Sequence, residues 1–432
     1  MVHRGQKIFP TEQELTFAKL NSIGVKRTVE ELTLIETLKT PPKPGQEVRE
    51  ALTEDLNEFF GIKEHMLHIG HLQHYEDIPV YLDPETLVAM HLGVLGATGS
   101  GKSYFAKVLV EELTGQKPPI PLVIFDPHGE YGELENMMDT RILEPDFLEG
   151  KRSWSNTSPF AVKSMLKGLM NTTQFGVLEQ ALTRMQLDEK WPPEETDSIV
   201  EYIQNVPGRK GTTISTVADI LRRDKRLRNL DSGEPIDPDE VAVVGKATVI
   251  DFSGGVPLEK QQRLVGEISD LLFSAGLLRK EAFSVDLLVE EAHRYCPERG
   301  FAIGRNSGLS ADALMTIATQ GRKFGVGMTV VTQRPAMVSK AILSQCNTLL
   351  TFRLMSVADI DQVKGVIGNI PLLDRISYLA VGEAIILGVG LPVPFPIISR
   401  IRIRKLKPTK LEVKLKERIK RMQRRQRKKP TM

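Results

Sequence analysis

The chain has 432 residues, of which 41% are hydrophobic and 26% charged, and its 57 Lys and Arg nearly balance 55 Asp and Glu for a net charge of +2. That length suits one large α/β core with additions, and the composition is that of a soluble globular protein. No uncharged apolar run is long enough to cross a bilayer, and the first residues lack a signal-peptide core. Cys296 and Cys346 are the only cysteines and form no metal-ligand or disulfide pattern, so a reducing, cytoplasmic setting is expected.

Residues 1–60 read as a short helical N-terminal segment. Thr11 with Glu14, and Thr28 with Glu31, each fit a capping box ahead of an amphipathic run. Such helices serve packing or oligomerisation more often than DNA reading. Pro41-Pro42-Lys43-Pro44-Gly45 marks a linker.

A strand signal begins at His68, continues through Ile78-Pro79-Val80-Tyr81-Leu82, and reaches His91-Leu92-Gly93-Val94-Leu95. Next come Gly96, Ala97, Thr98, Gly99, Ser100, Gly101, Lys102 and Ser103, which fit the phosphate-binding pattern G-x-x-x-x-G-K-[ST]. Helical periodicity follows from Tyr104 to Leu113. Strand, glycine loop and helix together are the context this motif needs. The glycines let backbone N–H groups turn inward around an anion, and the helix N-terminus adds its dipole. Lys102 is expected to reach the β- and γ-phosphates of ATP, and Ser103 to hold Mg²⁺.

Further apolar runs at Pro121–Asp126, Ala247–Phe252, Val285–Glu290 and Gly327–Thr332 suit strands buried on both faces of a parallel sheet, and Asn347–Leu354 and Glu383–Leu387 complete the sheet. Helical stretches alternate with several of them, so the core is predicted to be doubly wound α/β. Residues 156–240 interrupt the alternation with about four helical segments, an all-helical insertion. The predicted organisation is a helical segment (1–60), a first core part (61–155), the insertion (156–240), a second core part (241–403) and a basic tail (404–432).

Leu287-Leu288-Val289-Glu290-Glu291-Ala292-His293 is an apolar strand ending in two acids. Hydrolysis at a P-loop needs an acid near Mg²⁺ and another to orient or deprotonate water. Glu290 is the candidate for the metal shell and Glu291 for the base. Asp126, His128 and Glu130 follow another strand and so sit at the sheet edge where ligands bind, as γ-phosphate sensors or as parts of a capped turn. Gln333 closes a strand, placed to bond the γ-phosphate or attacking water, or as an ordinary polar strand end. Arg322 precedes that strand and fits an arginine finger supplied in trans, although chemistry alone does not rank it against Lys323, Arg334 and Arg353.

Together, Ile78–Asp83, the P-loop, Asp126–Tyr131, Glu290-Glu291-Ala292-His293, Gly321-Arg322-Lys323-Phe324-Gly325 and Thr332-Gln333-Arg334-Pro335 resemble the HerA group of hexameric DNA-translocating ATPases, within the HerA/FtsK class of P-loop motors. The resemblance covers about residues 68–400. It implies a RecA-like core, a homo-hexameric ring and ATP-driven movement along double-stranded DNA in end processing or repair. Lys102 and Ser103 then resemble the phosphate and Mg²⁺ ligands, Glu291 the catalytic acid, Arg322 the trans-acting finger and Gln333 the sensor. Family members commonly begin with a β-barrel and work with the nuclease NurA; the helical reading of residues 1–60 offers no barrel for that partnership. Family members also often carry Glu where this chain has Gln320.

A DNA-transfer, packaging or defence motor of the same class is the alternative, and a nucleotide switch without turnover is disfavoured by the paired glutamates. The basic run Arg418–Lys429 reads either as a phosphate-binding arm or as a solvated tail.

Overall fold

The computed structural model describes residues 27–29, 32–34 and 65–404, apart from residues 133, 135–139, 146–152, 158, 167, 234–235, 280–281, 305–306 and 369. Where helix was predicted around Thr28 and Glu31, the chain forms a hairpin. β1 (Arg27–Val29) and β2 (Leu32–Leu34) pair antiparallel with Val29 opposite Leu32. Thr28, Val29 and Thr33 are β-branched, and their strand preference outweighs the capping pattern. The Thr11–Glu14 box and the 41–45 linker lie outside the described residues.

The rest of the strands make one sheet: β3 (Leu67–Leu72), β4 (Tyr75–Leu82), β5 (Leu92–Leu95), β6 (Leu122–Asp126), β7 (Thr140–Leu143), β8 (Ala247–Asp251), β9 (Val285–Val289), β10 (Val326–Thr332), β11 (Thr348–Phe352), β12 (Glu383–Gly388) and β13 (Ile397–Ile401). Their order is β4-β3-β13-β12-β11-β5-β10-β9-β6-β8-β7. From β11 to β7 the pairing is parallel throughout, and β12, β13, β3 and β4 extend the sheet antiparallel.

The central strands are buried on both faces, which is why they read as unbroken apolar runs. Val123, Phe125, Leu287, Val289 and Val330 point to one face, where the long helix Leu258–Arg279 packs through Leu264, Val265, Ile268 and Leu272. Ile124, Leu288 and Val331 point to the other, against Phe105, Val108 and Leu109 of the P-loop helix Lys102–Thr114. β7 and β13, which the apolar-run criterion misses, lie beyond this doubly covered centre. β7 is mostly half-buried, and β13 follows the proline-rich stretch 392–396.

Between β7 and β8 the chain is helical: Pro159–Leu166, Thr172–Leu187, Thr196–Gln204, Gly211–Arg223, Lys225–Asp231 and Pro238–Val241. These helices have a core of their own, with Val177, Leu178, Leu182, Ile199, Ile203, Val217, Leu221 and Leu227 at its centre. The helical period predicts one segment from about Thr213 to Leu227, but the chain there forms two helices. Asp224 leaves helical geometry and its side chain caps the Arg226 N–H, starting the next helix.

The P-loop helix is tied to the sheet by a buried ion cluster. Arg402 Nη2 lies 3.3 Å from Glu111 Oε2 and 2.9 Å from Glu112 Oε1, and Arg404 Nε lies 3.0 Å from Glu111 Oε1. Glu112 Oε2 also accepts from the His68 N–H at 2.9 Å, which joins the cluster to β3. Arg404, the first residue of the predicted basic tail, is therefore committed to this cluster; residues 405–432 lie outside the described residues. Arg402→Ala leaves buried carboxylates short of their partner, so we expect a loss of about 3–5 kcal/mol in unfolding free energy, measured by urea denaturation. A loss within experimental scatter of zero contradicts a structural role for the cluster.

Candidate nucleotide-binding site

Residues 96–101 form a loop between β5 and the helix that starts at Lys102. Gly99 and Gly101 have φ of 74° and 118°, which L side chains rarely adopt, and a Cβ on Gly96 would sit 2.6 Å from Phe352 Cβ. The loop is held from three directions. Gly96 N donates to Thr332 O of β10 at 3.3 Å, Ala97 N to Arg353 O at 2.8 Å, and Gly382 N to Ser100 O at 2.9 Å. Ser100 Oγ donates to Ala97 O at 2.7 Å and Lys102 Nζ to the same carbonyl at 3.1 Å. Thr98 Oγ1 donates to Gln333 Oε1, so the loop and the residue after β10 are linked directly.

Lys102 is buried. Burial lowers the pKa of its ammonium, while Glu291, Glu290 and Glu130 pull it back up. That makes Lys102 a cation positioned among acids at the mouth of the glycine loop.

Glu290 follows β9 and is buried, with its N–H donating to Phe125 O at 3.4 Å. Burial pushes its pKa up to about 7; Tyr131 and Lys102 oppose that rise, while Glu130 and Glu291 add to it. The Tyr131 hydroxyl donates to Glu290 Oε1 at 2.7 Å from a fully buried position. Glu291 takes a left-handed backbone conformation, with φ 50° and ψ 46°. For a non-glycine residue this costs on the order of 1–3 kcal/mol. The bend ends the strand, and both neighbouring acids act on Lys102, although adjacent strand residues would face opposite ways. Burial alone would raise the Glu291 pKa. His293, with Nδ1 3.2 Å from Glu291 Oε2, outweighs it together with Lys102 and His128, so the carboxyl is more acidic than usual. Two adjacent carboxyl groups thus differ in acidity because burial dominates at Glu290, while His293 and the nearby cations outweigh it at Glu291.

Asp126 is buried at the end of β6, and its carboxylate is occupied. Oδ1 accepts from the N–H groups of His128 (3.1 Å), Gly129 (2.9 Å) and Glu130 (3.1 Å), and Oδ2 from that of Tyr131 (2.9 Å). Of the two readings of this segment, Asp126 takes the capped turn. His128 and Glu130 stand exposed on it, their charges felt by Glu291 and Lys102 respectively. The turn also delivers Tyr131 to Glu290.

Arg322 is exposed in the short turn Gly321–Phe324, ahead of β10. Gly276 allows the long helix to pass close to this turn, where a Cβ would strike Phe324 O. The P-loop lies past the other end of β10, whose seven residues span about 20 Å. The structure brings Gln333, Glu290, Glu291 and Lys102 together and leaves Arg322 at the opposite sheet edge.

Sequence reasoning assigned no role to Tyr131 or His293, and placed Thr98 only within the phosphate-binding loop. His293 Nδ1 also lies 3.3 Å from Thr332 Oγ1, linking the acid after β9 to the end of β10. Tyr131 and His293 stand inside quoted motifs, but no spacing rule predicts which partner a side chain meets across strands.

A family model described as the central domain of the helicase HerA matches residues 67–272. A probable helicase of Methanocaldococcus jannaschii is 27% identical over 428 residues, covering 90% of this chain and 78% of that protein. The DNA double-strand break repair helicase HerA of Pyrococcus furiosus is 27% identical, covering 82% of this chain and 73% of its own length. That of Sulfurisphaera tokodaii is 28% identical, covering 84% and 74%. Among solved structures, VirB4 of Thermoanaerobacter pseudethanolicus superposes with a TM-score of 0.51 at 15% identity, covering 80% of this chain and 98% of that one; at that identity the likeness is one of fold.

Lys102→Ala removes the ammonium from the loop and is expected to abolish triphosphate binding in isothermal titration. Unchanged affinity in a folded preparation rules out the loop as the phosphate site.

Proposed function

We propose that this chain, which is a HerA-type ATPase, works as a homo-hexameric ring that converts ATP hydrolysis into movement along double-stranded DNA, in end processing or repair. The observation that carries the reading is the meeting of Lys102, Glu290, Glu291 and Gln333 at one sheet edge while Arg322 stands exposed at the other. A site assembled this way has the phosphate cradle and the acids in one chain and needs a cation from another. The relatives named as double-strand break repair helicases support the DNA role.

In this reading the inward N–H groups of the loop and Lys102 hold the β- and γ-phosphates. Ser103 and Glu290 fit a Mg²⁺ ion, because both offer oxygen and Glu290 Oε1 alone is engaged by Tyr131. Glu290 is also a buried carboxyl group whose charge a divalent cation would stabilise. Mg²⁺ there would neutralise charge developing on the phosphate oxygens. Glu291, kept ionised by His293, orients and deprotonates the attacking water. Gln333 hydrogen-bonds the γ-phosphate or that water, and its bond to Thr98 connects it to the loop. Arg322 enters the neighbouring subunit's site and stabilises transition-state charge. Residues 405–432 add a basic arm for DNA phosphates, and a NurA-like nuclease is the partner expected for end processing. Among the described residues no helix is long and apolar enough to cross a membrane.

The test is ATP turnover with and without duplex DNA, together with displacement of a third strand from a triplex. Stimulation and displacement are expected; turnover indifferent to duplex DNA overturns the motor reading. Glu291→Gln should bind ATP normally and hydrolyse it at least about 100-fold more slowly, because the water loses its base. If Glu290→Gln behaves that way and Glu291→Gln stays active, the two roles are exchanged.

Arg322→Ala should bind ATP but turn it over poorly. In rings mixed from Arg322→Ala and Glu291→Gln subunits, some sites pair an intact acid with an intact finger, and turnover should exceed that of either variant alone. Absence of recovery in rings shown to be mixed argues against action in trans.

A further inference from the structure

The two acids and the Thr332-Gln333 pair end neighbouring strands, since β9 and β10 run parallel with Val289 opposite Val330. One imidazole lies between them. His293 Nδ1 stands 3.2 Å from Glu291 Oε2 and 3.3 Å from Thr332 Oγ1. Nδ1 has room for one proton and has two oxygens beside it. A lone pair there would face the charged Glu291 oxygen, so Nδ1 carries the proton and donates.

The two acceptors are not equivalent. The contact with Thr332 is a hydrogen bond. Glu291 Oε2 is near enough to feel the imidazole charge, yet among the described residues no donor meets this buried atom at hydrogen-bonding geometry. A buried oxygen left short of a bond in a working site calls for a reason. Thr332 is fully buried and cannot follow the ring. Its Oγ1 also accepts from Arg334 N at 3.1 Å, its backbone O accepts from Gly96 N at 3.3 Å, and it pairs with Leu95 of β5. The hydroxyl is therefore a fixed acceptor, and it holds the imidazole N–H off the line to Glu291.

We propose that Thr332 is a positioning residue for ATP hydrolysis: its hydroxyl engages the His293 N–H and so leaves Glu291 Oε2 open to take the proton of the attacking water. The proposal rests on the reading of Glu291 as the base and adds what keeps its lone pair free. A base needs a charge and an unoccupied lone pair together. His293 supports the charge from 3.2 Å, and Thr332 preserves the lone pair. In the step itself a water O–H bond breaks as Oε2–H forms. The water oxygen bonds to the γ-phosphorus as the bond to the bridging oxygen breaks, leaving ADP and phosphate. Without the hydroxyl, the N–H turns to Glu291 and caps the oxygen that must receive the proton.

The experiment measures ATP turnover and ADP affinity of the full chain as wild type, Thr332→Val, Thr332→Ser, His293→Ala and the double variant Thr332→Val/His293→Ala. Valine has the shape of threonine without the hydroxyl. Thr332→Val should turn over about tenfold more slowly at unchanged ADP affinity, because part of the contribution of the base is lost. Thr332→Ser keeps the hydroxyl and should stay within about twofold of wild type. His293→Ala also slows turnover, and adding Thr332→Val to it should slow it no further, since the hydroxyl then has no imidazole to hold. A loss that persists in the His293→Ala background marks Thr332 as merely structural and overturns the proposal. Wild-type turnover in Thr332→Val, or a fall in its ADP affinity, overturns it as well. Should Thr332→Val not fold, Thr332→Ala and its double with His293→Ala replace it with the same expectations. Glu291→Gln tests the premise: wild-type turnover there removes the base reading itself, separately from Thr332.

Discussion

A parallel sheet covered on both faces leaves polar groups few places to go. Along β6, β9 and β10 every side chain is enclosed, so chemistry collects where the strands end. The glycine loop, the Asp126 turn, the Glu290-Glu291 pair and Gln333 all lie just past the carboxyl ends of neighbouring strands. Each strand end fixes its residue to within the tolerance of a close-packed core, and that is how groups distant in sequence meet at one small site.

Enclosure also differentiates the two acids. Glu290 is buried behind the sheet, with the Tyr131 hydroxyl on one carboxylate oxygen, and burial pushes its pKa up to about 7. Glu291, one residue on, bends out through a strained backbone into the reach of His293 and is more acidic than an ordinary glutamate. In the proposed mechanism the group needing an added cation is the buried one, and the group needing a free charge is the one beside the imidazole. The turn capped by Asp126 supports both, since it carries Tyr131 inward and leaves His128 and Glu130 outside.

The same sheet keeps Arg322 apart. A rigid strand separates it from the loop of its own chain, so it does not reach a nucleotide bound there. In the proposed ring, a nucleotide at a neighbour's loop would give it an anion to meet in every subunit. In that proposed arrangement β10 would link the two sites, with Arg322 ahead of it and Gln333 behind, the latter bonded to Thr98 of the loop.

The sequence by itself determined the phosphate loop, the doubly covered parallel strands and the presence of a helical stretch before β8. These depend on local rules: glycine positions, unbroken apolar runs and the 3.6-residue period. It misread the Arg27–Leu34 hairpin, where β-branched residues overrode a capping pattern, and it merged two helices that part at Asp224. It also left Asp126 open between sensor and turn cap. Only the tertiary structure decided that question, by aiming four backbone N–H groups at its carboxylate. The same holds for Tyr131 on Glu290, His293 on Glu291, and the Arg402 and Arg404 clasp on the P-loop helix. Those contacts join residues far apart in the chain or turned by a single unusual backbone angle. Side-chain periodicity carries no information about either, because which strands become neighbours is settled by the packing of the whole sheet.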